Sequence, residues 1–280
     1  MALAADVRIA VIGGGKMGEA ILGGWIASDR DPAAPLSAAN FVVANPGAER
    51  RAYLAERYGV TCVADAREID TADIVVLAVK PQVMRSVLES IADESAYGAD
   101  RAPLFISIAA GLSTAQLLAM LPAGARLVRV MPNTPLLVGA GVTTVCTASS
   151  RADDVALVRD LFACLGSAYL VEEDAMDATG ALSGSGPAYV AHAIEALRDA
   201  GVAQGLDAEL AERLAADTFL GTCLLMREKG QTPEQTRVAV CSPGGTTLAA
   251  LAAMDEAGFA AVFDAGIAAA VRRSKELASC

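Results

Sequence analysis

Val7-Arg-Ile-Ala-Val-Ile-Gly-Gly-Gly-Lys-Met-Gly18 decides the fold, because it is an apolar strand that runs through a glycine turn into a helix. Gly13, Gly15 and Gly18 stand in G-x-G-x-x-G register, which lets the chain turn tightly, brings backbone close to a pyrophosphate and packs the helix against the strand. The helix expected over residues 16–28 would aim its free N–H groups and positive dipole end at a diphosphate. Any glycine-rich turn before a helix can match this register by chance. Context sharpens it: the preceding strand is rich in Val and Ile, and the motif opens the chain, where the first mononucleotide-binding unit of such folds sits.

Outward from that stretch the pattern repeats. Residues 41–44, 60–63, 74–79, 104–108, 127–131, 142–146 and 168–171 read as strands, and 48–58, 81–91, 113–121 and 150–165 as helices. Gly59 closes one helix as a C-cap, Pro81 opens the next without costing a hydrogen bond, and Ser113-Thr-Ala-Gln116 is a capping box. Residues 31–39 form a Pro/Ala/Ser connection. The charge-free run 102–125 is long enough to cross a bilayer, but Gly111, Ser113, Thr114, Gln116 and Pro122 interrupt it, so it parses as a buried strand followed by a capped helix. Strands alternating with helices imply right-handed crossovers and a parallel sheet. Residues 1–172 are therefore expected to form a Rossmann-type, doubly wound α/β domain that binds a dinucleotide.

Beyond residue 172 strand-like runs disappear, and 175–182, 187–204, 207–229, 233–240, 243–254 and 258–278 read as helices. Many are alanine-rich and apolar on more than one stripe. Helices of that kind must be buried, and a second copy of the chain is the simplest cover. Residues 173–280 are thus expected to be an all-helical dimerisation domain.

Composition narrows the function. The 280 residues are 54% hydrophobic and 20% charged, a packed globular chain, and the net charge of −11 argues against a surface that tracks nucleic-acid phosphates. Six cysteines without a C-x-x-C pair and a single histidine, His192, give neither a zinc pattern nor a disulfide framework and suit a reducing cytoplasm. No basic n-region precedes the first apolar run, so no signal peptide is expected.

Three stretches are richer than folding requires. Ser183-Gly-Ser-Gly-Pro-Ala-Tyr189 places small residues before a helix opening with Pro187. Cys241-Ser-Pro-Gly-Gly-Thr-Thr247 does the same, with Ser242 as candidate N-cap and Pro243 at the first helical position. Such an end either is an ordinary capped helix start or holds a small carboxylate on its N–H groups. In Arg129-Val-Met-Pro-Asn-Thr-Pro135, Asn133 and Thr134 either touch ligand or make the turn between two prolines.

Taken together, Leu182-Ser-Gly-Ser-Gly-Pro-Ala-Tyr189, Val240-Cys-Ser-Pro-Gly-Gly-Thr-Thr247, Val130-Met-Pro-Asn-Thr-Pro135 and Ala78-Val-Lys-Pro81, after the glycine turn, resemble the pyrroline-5-carboxylate reductase family, in the family's order and over nearly the whole chain. The resemblance implies an enzyme that reduces pyrroline-5-carboxylate to L-proline with NADPH or NADH, the last step of proline synthesis, and dimers that assemble into decamers. It places the cofactor diphosphate on Gly13, Gly14, Gly15, Lys16, Met17 and Gly18, the adenosine ribose or its phosphate near Asn45, and the nicotinamide between Ala78, Val79, Lys80, Pro81 and Ala109, Ala110, Gly111. It places the substrate carboxylate on Ser242, Gly245 and Thr246, gives Thr247 to the ring nitrogen as the catalytic group, and sets Glu173 at the pocket's border. Ala66, Thr236 and Cys241 depart from the family pattern.

The end of the second strand holds Ala44 and Asn45 where NAD-specific folds carry an acid for the ribose 2′-OH, with Arg50 and Arg51 a turn further on. NADPH is the expected coenzyme, although those arginines also read as a solvated helix face. Two rivals remain: a β-hydroxyacid-dehydrogenase-like reductase, for which Lys229 would have to polarise the substrate, and a non-catalytic dinucleotide-binding protein.

Overall fold

The computed structural model describes residues 6–27, 36–69, 71–92, 103–148 and 151–278; residues 31–35 of the Pro/Ala/Ser connection, Ser28 and Ser150 lie outside them. The chain divides into two compact units, one holding the chain up to Ser185 together with its end from Ala270, the other Gly186–Ala269.

The first unit is built on eight strands: β1 Ile9–Ile12, β2 Phe41–Ala44, β3 Thr61–Val63, β4 Ile74–Leu77, β5 Leu104–Ser107, β6 Arg126–Met131, β7 Gly141–Cys146 and β8 Gly166–Val171. Their order in the sheet is β3-β2-β1-β4-β5-β6-β7-β8. The first six run parallel, as expected, and β8 is parallel to β7. The expected parallel sheet is interrupted once, at β7, which pairs antiparallel with β6 through Val130↔Val145. Only residues 132–140 join them, including a 3-10 turn at Thr134–Val138, and a parallel return needs a crossover of roughly a dozen residues or more.

Helices α1 Lys16–Ala27, α2 Ala48–Tyr58, α3 Pro81–Ala92, α4 Thr114–Met120 and α5 Ala152–Ala163 connect the strands. Because side chains alternate along a strand, Ile9 and Val11 join one core with Trp25 and Phe162, while Ala10 and Ile12 join another with Met84, Leu88 and Leu117. Trp25 is fully buried, packs edge-on against Phe162 at 5.5 Å and donates its indole N–H to the Leu161 carbonyl at 2.9 Å. A sheet covered on both faces explains why β1, β4 and β5 are buried throughout. Of the run 102–125, residue 102 lies outside the described residues and 103–125 hold β5 and α4, whose predicted capping box between Ser113 and Gln116 is present.

The expected helix 175–182 takes another form. A 3-10 turn, Glu173–Ala175, leads into α6 Met176–Thr179 and then a π turn, Gly180–Gly184, closed by the Ser185 N–H on the Gly180 carbonyl at 3.1 Å. Ser183 and Gly184 therefore end a wide helical turn, and the next helix opens at Gly186, one residue before the expected Pro187. Gly184 packs on Met131, whose methyl would lie 2.6 Å from an added Cβ and would have to move aside for one.

The second unit is helical: α7 Gly186–Ala203, α8 Ala208–Lys229, α9 Pro233–Ala239, α10 Thr246–Glu256 and α11 Phe259–Ala278, the last passing back into the first unit at Ala270. Asp207 caps α8 by accepting from Glu209 and Leu210 N–H groups, and left-handed Gly230 ends it. Ala211 and Ala215 of α8 are buried, whereas the alanines of α10 and α11 are mostly exposed, and Leu220 and Val262 stay 60% and 68% exposed. Among the described residues no single helix is long and apolar enough to cross a membrane; the pair α10 and α11 passes together, bent by 49°.

Candidate active site

The glycine turn has the strain its register predicts. Gly13 has φ +105°, donates its N–H to the Ala44 carbonyl at 2.9 Å, and would bring a Cβ to 2.6 Å from the Ala78 carbonyl oxygen. A Cβ on Gly18 would lie 2.1 Å from the Gly13 oxygen. Those two glycines are demanded by the fold. Gly15 is different: it is exposed, and a Cβ there would meet nothing within 4 Å. A glycine that the fold does not need, at the open N-terminus of α1, fits close approach by a diphosphate.

The other residues expected to meet the dinucleotide gather at the same sheet end. Asn45 follows β2, accepts the Gly14 N–H on its Oδ1 at 3.2 Å, and donates its own N–H to the Val63 carbonyl at 3.0 Å. Ala78, Val79, Lys80 and Pro81 follow β4, where the Ala78 N–H reaches the Ile12 carbonyl at 2.8 Å. Ala109, Ala110 and Gly111 follow β5, with Ser107 Oγ accepting the Ala109 N–H and Gly111 at φ +78°. Strands β2, β1, β4 and β5 are adjacent, so these loops line the crevice at their carboxyl ends, on both sides of the point where strand order reverses.

Sequence reasoning missed the partners of α2. Arg50 donates Nε to the Gly14 carbonyl at 2.5 Å and Nη2 to Glu19, which also accepts the Tyr53 and Tyr58 hydroxyls at 2.9 and 3.0 Å. Burial alone would raise the Glu19 carboxyl, but these donors and the Arg50 charge outweigh it and hold it below its usual range. Arg51 donates Nη1 to the Asn45 and Pro46 carbonyls at 2.8 and 2.7 Å. The solvated-face reading therefore fails for both arginines: each braces a loop. No local signal announces contacts that span more than thirty residues for Glu19.

Glu173 is bonded to the protein on both oxygens. It accepts the Thr114 N–H at 3.1 Å and the Thr114 hydroxyl, Arg129 Nη1 at 2.7 Å and the Cys146 thiol at 3.0 Å. Burial pushes its carboxyl up, yet the donors from Cys146 and Thr114 and the Arg129 charge bring it below the ordinary value. Burial, then the Glu173 carboxylate, push the Cys146 thiol up to about 11, so it stays protonated and donating. The carboxylate clamps the start of α4 to β6 and β7.

Asn133 is 6% exposed, donates Nδ2 to the Ser183 carbonyl at 3.0 Å and accepts the Val142 N–H at 2.8 Å. Of its two readings, the structure gives the turn-forming one. His192 is 85% exposed on α7 and pairs with Glu195 at 3.2 Å, a solvated pair without a relay.

In the second unit the expected helix start is displaced. Ser242 does not cap a helix and Pro243 is not its first residue; Ser242–Gly245 is a β-turn, closed by the Gly245 N–H on the Ser242 carbonyl at 2.9 Å, with Gly244 at φ +68°. Proline then positive-φ glycine is a type II signature, and a residue at positive φ cannot continue a right-handed helix. Helix α10 begins at Thr246, and its N-cap Gly245 has no side chain to satisfy the first turn. The Gly245 N–H is committed to the turn, so the open first-turn donors of α10 are those of Thr246, Thr247 and Leu248. Lys229 closes the C-terminal end of α8 beside Gly230.

Comparison with known proteins gives two family matches. The family description "NADP oxidoreductase coenzyme F420-dependent" matches residues 8–111, and "Pyrroline-5-carboxylate reductase dimerisation" matches residues 173–277. The pyrroline-5-carboxylate reductase of Synechocystis is 41% identical over 274 residues, 97% of this chain and 98% of that protein. Among solved structures, that of the Coxiella burnetii pyrroline-5-carboxylate reductase superposes with a TM-score of 0.86 at 36% identity, covering 97% of this chain and 98% of that one. The Plasmodium falciparum pyrroline carboxylate reductase, solved with NADP bound, gives 0.83 at 31% identity over 99% of this chain and 100% of that one.

Proposed function

The chain belongs to the pyrroline-5-carboxylate reductase family, and we propose that it reduces 1-pyrroline-5-carboxylate to L-proline, the last step of proline biosynthesis, with NADPH as reductant. The observation that carries the reading is the uncapped start of α10. Neither Ser242 nor Gly245 lends the helix a side-chain oxygen, so its first-turn N–H groups are left open. That leaves N–H groups for a carboxylate, which a non-catalytic dinucleotide-binding protein has no need of.

When bound, NADPH supplies a hydride from the nicotinamide C4 to the imine carbon. The residues of this chain do the rest. The N-terminus of α1 and the open face of Gly15 hold the diphosphate, and Ala78–Pro81 with Ala109–Gly111 flank the nicotinamide. Thr246 and Thr247 N–H groups, with the Ser242 hydroxyl, hold the substrate carboxylate. Thr247 Oγ1 hydrogen-bonds the ring nitrogen, which finishes the reaction as an amine. A protonated imine is already a strong electrophile, so placing it contributes more than a strong acid would. That accounts for a reaction without histidine or cysteine as acid or base. Glu173 acts by fixing Thr114, and so the α4 end of the loop that begins at Ala109. A homodimer formed through the helices of residues 173–277, dimers assembled into a decamer, and a cytoplasmic location complete the proposal.

The test is NADPH oxidation by purified protein. Pyrroline-5-carboxylate should be turned over far faster than any 2-keto or 3-oxo acid. Turnover confined to the acids would favour a β-hydroxyacid-dehydrogenase-like enzyme instead, and coenzyme binding with no turnover would favour a non-catalytic role.

A further inference from the structure

We propose that Arg51, and not its neighbour Arg50, selects NADPH over NADH by gripping the 2′-phosphate of the adenosine ribose; the inference rests on the coenzyme reading above. The two arginines stand side by side at the start of α2, and their types alone do not separate them. Their hydrogen bonds do. A guanidinium presents five N–H donors in a planar fork, with Nε and Nη2 on one edge that matches two phosphate oxygens. On Arg50 that edge is consumed: Nε goes to the Gly14 carbonyl and Nη2 to Glu19. The Glu19 carboxylate also cancels the Arg50 charge, so an added dianion would have to break the pair. Arg50 is thereby a brace for the glycine turn, a part of the site common to both coenzymes.

Arg51 has the opposite arrangement. Its Nη1 alone is engaged, by the Asn45 and Pro46 carbonyls, which fixes the plane of the group beside the end of β2. Among the described residues no acceptor meets its Nε or Nη2, and no carboxylate pairs with it. Asn45, whose carbonyl it holds, occupies the place where an acid would bind the ribose 2′-OH of NAD and repel a 2′-phosphate. A neutral residue at that place, tied to a cation with one whole bidentate edge open, is the chemistry that a phosphate monoester on the ribose requires.

Steady-state kinetics and fluorescence titration with NADPH and NADH, on the full-length protein, test this. Arg51→Ala should lower the NADPH-to-NADH ratio of kcat/KM roughly ten- to hundred-fold, the range for a lost charge-assisted pair. Arg51→Lys, which keeps the charge and loses the fork, should fall between it and wild type. Arg50→Ala should weaken both coenzymes together and hold the ratio within about two-fold, since it loosens a turn that both share. Three results would overturn the proposal: wild-type protein without preference for NADPH, an unchanged ratio in Arg51→Ala, or a ratio that collapses in Arg50→Ala instead. Equal loss of both coenzymes in Arg51→Ala counts as an unchanged ratio. The titrations need no imine substrate, so a protein that prefers NADPH and yet turns over no pyrroline-5-carboxylate would sink the proposed function and leave Arg51 standing.

Discussion

Residue by residue, the glycines of the first turn separate what the fold requires from what a ligand requires. Gly18→Ala drives a methyl into the Gly13 carbonyl and should destabilise the protein by about 3 kcal/mol or more. Gly15→Ala meets no neighbour, so its cost should stay near ~1 kcal/mol, the loss of a favourable N-cap. Its effect should appear in coenzyme binding, as a raised KM for NADPH. Urea unfolding beside steady-state kinetics distinguishes the two, and equal stability loss at both positions would refute the distinction. At Thr247 the expectation concerns rate: Thr247→Ala should lower kcat by one to two orders of magnitude, the usual range for a positioned donor. An unaltered kcat would remove the hydroxyl from the chemistry. The register of the glycines was plain in the sequence, whereas the difference between Gly15 and Gly18 was not, because it depends on what lies across the turn.

Among the elements, the least legible were those whose shape depends on distant contacts or on a competing local motif. Ser242-Pro243 reads as a cap followed by a first helical residue, but Gly244 at positive φ converts it into a separate turn and moves the start of α10 to Thr246. The π turn at Gly180–Gly184 has no sequence code of its own, and it packs on Met131 of β6. Elements read correctly, such as α2 over Ala48–Tyr58 and β2 over Phe41–Ala44, carry their own signals in Gly59 and in continuous apolar runs. The clamp that joins α4 to β6 and β7 makes an acid-dependent contribution. A carboxyl held below its ordinary 4.5 stabilises the fold above that value and loses its contribution as pH falls through the folded value. Glu173→Gln should therefore be less stable than wild type at pH 7, and the gap should narrow below about pH 4.5. Urea midpoints across pH 7 to 3 measure it; a constant gap would show that the Glu173 charge contributes nothing.

For the whole molecule, the helical unit leaves Leu220, Phe259 and Val262 more than half exposed, an apolar surface that a single copy does not cover. The protein should sediment as a dimer or larger, and Val262→Glu should shift it toward monomer and make its melting temperature depend on concentration. A monomeric wild type would contradict the dimerisation role proposed for residues 173–277. The sequence by itself determined the dinucleotide fold, the change to helices near residue 172 and the family, since each is written in short-range periodicity, glycine spacing and contiguous motifs. Tertiary structure alone decided that β7 runs against β6, that Glu173 is bound by the protein, and that Arg50 is neutralised while Arg51 keeps an open edge. Those outcomes turn on which side chains meet after the chain has folded back on itself, and spacing along the sequence carries no record of such meetings.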